Sequence, residues 1–147
     1  MCTAMTVLGK VPVKDLGFTL SHEHLVMGDK NDSGWHVDPS EIPGMHTISA
    51  DDPVALDNLG ALGRAPSIIK DNTFLPGLET MTNEVNYYKN AGGGSIVEVS
   101  CIGLRGDANI LRQLSEATGV HIIASTGYYL EGSWPDYAHE ATVDELK

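Results

Sequence analysis

Two short segments in the second half of the chain constrain its fold more than any other feature. Ser95-Ile96-Val97-Glu98-Val99-Ser100 and His121-Ile122-Ile123-Ala124-Ser125 are β-branched and nearly continuous in apolar character. A half-wet strand alternates apolar and polar residues, whereas runs like these suit parallel strands covered by helices. A helical pattern precedes each run. Leu78, Met81, Val85 and Tyr88 recur at helical spacing around residues 79–91, and Gly92-Gly93-Gly94 then stops the helix. Asp107 has the chemistry of an N-cap before Ile110, Leu111, Leu114 and Ala117, with Gly119 as the C-terminal stop. Repetition of helix and apolar strand makes the architecture β/α.

The first half is less regular. Thr6-Val7-Leu8 and a turn region over residues 10–17 lead to Phe18-Thr19-Leu20-Ser21, the expected first strand. Residues 29–76 are rich in Asp, Asn, Gly and Pro, and most of this stretch reads as one long loop between the first strand and its helix. Within it, Asp52-Pro53 predicts a short helix with Leu56 and Leu59 as its apolar face, while Trp35, His36 and His46 lie in the loop. Thr142-Val143-Asp144-Glu145 matches a capping box, so a helix is expected to begin there. The chain reaches only Lys147, which suggests truncation.

Composition narrows the functional classes. With 20 acidic against 9 basic side chains and a net charge of -11, the chain is poorly suited to nucleic acid or an anionic membrane surface. No run approaches the roughly 18 apolar residues of a membrane span, and residues 1–10 lack the apolar stretch of a secretory signal. Cys2 and Cys101 are too few for a disulfide framework. A cytoplasmic protein with a small-molecule ligand is the expectation.

His22-Glu23-His24 carries the most chemical information. On extended backbone, residues two apart share a face, so His22 and His24 present their imidazoles together while Glu23 points away. On a helix they would diverge by about 200°. Neutral imidazole is a good zinc ligand. Read alone, the pair fits two alternating structural histidines as well as a chelate. Its place at the C-terminal end of a strand in a β/α chain is where barrels of this kind keep catalytic groups.

Residues 6–9 and 16–25 resemble the opening of the phosphotriesterase family of the amidohydrolase superfamily, nearest its phosphotriesterase-related branch. The resemblance continues through residues 56–59, 70–72, 91–99, 102–107 and 117–129, and so covers nearly the whole chain. It implies a (β/α)8 TIM barrel with two divalent metals, usually zinc, and a bridging hydroxide as nucleophile. By position, His22 and His24 would ligate the more buried metal. The family also requires a bridging carboxylate from the fourth strand, histidines from the fifth and sixth, and an aspartate from the eighth. None is assignable here, because only three β/α strands are legible in 147 residues.

A barrel takes about 250 residues. The expectation is therefore an N-terminal fragment, residues 1–147, of a metal-dependent hydrolase acting on a phosphotriester, lactone or other ester or amide bond, with the isolated chain inactive. The alternative is a non-catalytic remnant or binding module of the same fold. An open sheet edge leads us to expect self-association.

Other residues carry two readings each. Glu98 is either a carboxylate behind the metal ligands or a structural hydrogen-bonding group, and Tyr128 and Tyr129 either line a substrate pocket or pack beneath the loop. Gly92-Gly93-Gly94 precedes a strand, so it suits a helix-to-strand turn better than a phosphate cradle. Arg105-Gly106-Asp107 suits helix capping better than adhesion. His121 opens a strand at the end opposite the expected active face and reads as structural, with His36, His46 and His139 in exposed loops.

Overall fold

A computed structural model of the chain describes residues 2–28, 37–75, 77–104 and 106–146. Trp35, His36 and Arg105 lie outside the described residues.

The chain opens with an antiparallel hairpin, β1 (Thr3–Thr6) and β2 (Gly9–Pro12). Thr6 shapes its turn: the hydroxyl donates to the Gly9 carbonyl at 2.8 Å and accepts from the Leu8 amide at 3.3 Å. The expected turn over residues 10–17 is thus displaced. Its first part is strand β2, followed by a 3-10 turn at Val13–Asp15.

Three parallel strands form the main sheet in the order β3 (Phe18–Glu23), β4 (Gly93–Glu98), β5 (His121–Ala124). Between β3 and β4 the chain passes through α1 (Leu59–Leu62) and α2 (Leu78–Asn90), and α3 (Asn109–Thr118) joins β4 to β5. The helical spacing in the sequence is realised in one core. Met81 and Val85 of α2, Leu111 and Leu114 of α3, Ile96 of β4 and Ile122 of β5 pack together with Leu25, Val26 and Val120. Each such burial stabilises by about 1.5–3 kcal/mol. By contrast, the exposed Arg112–Glu116 pair on α3 belongs to a class worth about 0.3–0.5 kcal/mol. Packing of one sheet face against α2 and α3 therefore dominates. Val97, Val99 and Ile123, which alternate with the core residues, stay partly exposed.

Strand β4 begins two residues earlier than its apolar run, and the reason is steric. Gly92, with φ +98°, ends the helix, but Gly93 and Gly94 are already strand. A Cβ on Gly93 would collide with the Tyr88 ring, and one on Gly94 would collide with the Leu16 carbonyl. The space so kept is used by hydrogen bonds: the Ser95 hydroxyl donates to Leu16 O. The Tyr88 hydroxyl lies 2.6 Å from Phe18 O and 2.9 Å from Ser95 O. Glycine here sets the approach of β3 to β4.

Capping differs in detail from the sequence pattern. Ala108 is the first cap position of α3, yet Asp107 supplies the side-chain bond, accepting from the Asn109 amide at 2.9 Å. Gly119 ends the helix at φ +71°. No helix starts at Asp52; its carboxylate closes a turn by accepting from Ser49 N at 2.8 Å. Leu56 is 91% exposed and gives no apolar face. The long segment instead has its own small core of Met45, Leu62, Ile68 and Ile69. Three adjacent polar residues hold it closed: Lys70 pairs with Asp51 at 2.7 Å, Asp71 accepts from Val54 N at 3.1 Å, and Asn72 donates to Pro66 O at 2.9 Å. At the C-terminal end Thr142 opens a turn, its carbonyl accepting from Glu145 N at 3.0 Å and from Leu146 N at 3.2 Å, the bonds of a first helical turn. While the Glu145 amide bonds the Thr142 carbonyl, the Glu145 carboxylate accepts from the Thr142 amide at 2.8 Å and from its hydroxyl at 2.7 Å, which makes the glutamate half of the box. These bonds, the backbone one foremost, hold the Glu145 carboxyl below its usual pKa.

The two kinds of glycine give opposite expectations for the same substitution. Gly94→Ala should destabilise the chain by about 2–3 kcal/mol through overpacking. Gly60→Ala, in α1 with open space around it, should stabilise by about 0.5–1 kcal/mol. Urea denaturation followed by tryptophan fluorescence checks both.

Candidate metal centre

Strand β3 runs through His22 to Glu23, two residues past its expected end, and His24 follows directly. The pair thus sits on extended backbone at the C-terminal end of the strand. Both imidazoles are exposed, 5.6 Å apart between centroids and nearly edge to face at 77°. Parallel pairing places Glu23 opposite Glu98, and Val99 N donates to Glu23 O at 3.0 Å. The β3–β4 register is irregular between Leu20 and Glu23, immediately around the first histidine.

The neighbouring strand end supports the pair. Ser100, fully buried, places Oγ 2.9 Å from His24 Nδ1. Glu98 shares a strand face with the core residue Ile96 and is also fully buried. Its Oε1 accepts from Ser100 N at 3.2 Å and Leu25 N at 3.4 Å, while the buried Oε2 has no hydrogen-bond partner among the described residues. Glu98 therefore reaches the histidines through Ser100 and Leu25. Ser100 was not singled out by sequence reading. Its signal was available: it is the small polar residue at the C-terminal end of the strand beside the histidines.

Tyr128 and Tyr129 follow β5, tied to the β4 side by a bridge between Ile102 and Tyr128 and by Tyr129 N donating to Ile102 O at 2.8 Å. Tyr128 packs in an aromatic group, with ring centroids 5.9 Å from Trp134 and 6.3 Å from Tyr137. Tyr129 is 41% exposed, and its carbonyl accepts from Trp134 Nε1 at 3.0 Å. A cavity of about 340 Å³ opens elsewhere, between Leu25–Gly28, Phe74, Leu75 and Gly77, and the start of α3. Neither tyrosine lines it. His121 begins β5, at the other end of the sheet. His46 is exposed, and so is His139, which lies on α4 (Asp136–Glu140) against Trp134 instead of in a loop.

Among the described residues no group of three or more His, Cys, Asp and Glu side chains is arranged to hold a metal ion. Two imidazoles do fit one as part of a set. Nδ1 of His24 faces Ser100, which leaves Nε2 on the exposed side, and zinc takes such nitrogens within a total of about four ligands.

Parallel strands alternating with helices, with histidines at a strand's C-terminal end, have the layout of the opening of a TIM barrel. Residues 3–147 match the profile of the phosphotriesterase family, and the chain belongs to that family. It is 36% identical over 142 residues to an N-acetyltaurine hydrolase of Danio rerio, covering 96% of this chain and 39% of that protein. It is 33% identical over 150 residues to a phosphotriesterase-related protein of Aedes aegypti, covering 99% and 40%. Among solved structures, a resiniferatoxin-binding protein from Rhodobacter sphaeroides superposes with TM-score 0.80 at 33% identity, over 98% of this chain and 39% of that one. An organophosphorus hydrolase from Deinococcus radiodurans gives TM-score 0.54 at 28% identity, over 88% and 30%. The fold is thus the N-terminal part of a phosphotriesterase-type barrel, and the chain spans about two-fifths of the length of these curated relatives.

The aromatic group offers a direct check on side-chain placement. The Tyr137 hydroxyl, 3.3 Å away, is the main cause that raises the Tyr128 pKa above the usual phenol value, with desolvation second. Tyr137→Phe should move the Tyr128 titration to lower pH in a spectrophotometric titration of the phenolates.

Proposed function

We propose that His22 and His24 are metal ligands of a zinc-dependent hydrolase, and that this chain supplies the first two ligands of its centre. The observation that carries the reading is the exposed, edge-to-face imidazole pair at the C-terminal end of β3, with His24 Nδ1 already engaged by Ser100. Bound divalent metal would lower the pKa of a water and polarise the oxygen of the bond to be cleaved. The chain's own part is to present two neutral imidazoles on one face and hold one ring by its far nitrogen. Four ligands are the norm for zinc, so the remaining ones, and the proton acceptor, come from polypeptide outside these residues. The isolated 147 residues then bind metal weakly and do not hydrolyse substrate.

For substrate we propose a small molecule with an ester, lactone, phosphotriester or amide bond. The amide has particular support from the relatives named N-acetyltaurine hydrolase. Acidic net charge and two free cysteines suit a cytoplasmic enzyme with no nucleic-acid partner. Among the described residues no further strand joins the sheet beyond β3 or β5, although Val7 N bonds Ile122 O at 2.9 Å; these edges and the partly exposed Val97 and Ile123 suit self-association of the isolated chain.

Calorimetric titration of the chain with cobalt(II) tests the ligand role. Weak binding should fall in His22→Ala and His24→Ala by more than the roughly tenfold to hundredfold that removal of an outer partner costs. Affinity unchanged by both substitutions would end the metal-ligand reading. Stoichiometric, tight zinc in the purified chain would instead overturn the claim that two ligands are all it provides.

A further inference from the structure

Ser100 and Glu98 form a buried arrangement whose chemistry is poorly explained by packing. Both are 0% exposed. One oxygen of Glu98 receives the amides of Ser100 and Leu25, the residues just beyond the ends of adjacent strands, where β3–β4 pairing is irregular. The other oxygen is buried with no partner among the described residues. A side chain there only to fill space would be apolar, because a buried carboxylate with an unmet oxygen is unfavourable. What the carboxylate does fix is the backbone on both sides of the His24–Ser100 contact.

We propose that Ser100 and Glu98 are positioning residues that hold His24 in the tautomer a divalent metal requires. Neutral imidazole carries one N–H, and the bond made by one nitrogen decides the state of the other. Nδ1 of His24 is 2.9 Å from a buried hydroxyl and is closed to an ion. Nε2 is the nitrogen left to ligate, so it must hold a lone pair and Nδ1 the proton. Ser100 Oγ accepts that proton's hydrogen bond, and Glu98 keeps Ser100 in place through its amide. Leu25, held by the same oxygen, fixes the chain on the far side of His24. The tautomer assignment rests on the reading of His24 as a ligand.

The test uses the metal-free 147-residue chain labelled with 15N-histidine, in solution or as a sediment, at a pH where imidazole is neutral. His24→Gln assigns the ring signals. Wild type should show His24 with Nδ1 protonated, Ser100→Ala should lose that preference, and its cobalt(II) affinity should fall about tenfold. Glu98→Gln keeps an acceptor for both amides and should retain the wild-type tautomer. Glu98→Met removes the acceptor at similar volume and should behave like Ser100→Ala. Should Glu98→Met not fold, Ser100→Ala and Glu98→Gln still decide. An unchanged His24 tautomer in Ser100→Ala, or a wild-type ring protonated on Nε2, overturns the proposal. A tautomer change in Ser100→Ala with unaltered cobalt affinity supports the positioning role and counts instead against His24 as a ligand.

Discussion

The close approach of two backbones, residues Leu16 and Gly17 against Gly94 and Ser95, is the constraint on which the rest depends. A side chain at Gly94 cannot be accommodated there, and Ser95 uses the gap to donate to Leu16 O. Tyr88 of α2 closes the same seam from the helix side through Phe18 O and Ser95 O. These contacts hold the start of β3 against the start of β4, where the pairing steps by one residue between Phe18 and Thr19. At the far ends of the strands, beyond a register shift between Leu20 and Glu23, Glu23 lies opposite Glu98 and His24 meets Ser100.

Elements with strong periodicity were legible in advance. The helices α2 and α3 and the strands β4 and β5 come from dense apolar patterns, and the His-x-His pair lies on extended backbone as its spacing requires. The earlier regions were not, for physical reasons that can be named. Thr6 makes a hairpin turn with its side chain, which hydrophobic patterning does not register. Asp52 satisfies a nearby amide in a turn, in competition with the helix cap that its neighbour Pro53 suggested. The small core of Met45, Leu62, Ile68 and Ile69 draws on scattered residues with no repeat to reveal it. At the C-terminal end the Thr142 hydroxyl turns to the Glu145 carboxylate, leaving one half of the expected box unmade.

At the site, residue types were easier to read than their connections. His22 and His24 stood out because two imidazoles at that spacing share a face of extended backbone, at the C-terminal end of a strand in a β/α chain. Glu98 was ambiguous, since strand alternation alone does not say which face is covered. The covered face is the one Ile96 shares with α2 and α3, and Glu98 turns its carboxylate to backbone amides at the strand end. Tyr128 and Tyr129 show the same limit. Their aromatic neighbours Trp134 and Tyr137 lie in a turn and a short helix whose position only the three-dimensional structure gives.

The chain belongs to the phosphotriesterase family and spans about two-fifths of the length of its curated relatives. It carries the strand-end histidines, with a support built into the adjacent strand. Zinc K-edge X-ray absorption of the zinc-loaded chain measures the central claim most directly. Two imidazole nitrogens are expected around the zinc at about 2.0–2.1 Å, one lost in His22→Ala and one in His24→Ala. A spectrum with no imidazole contribution, or one unchanged by both substitutions, would contradict it.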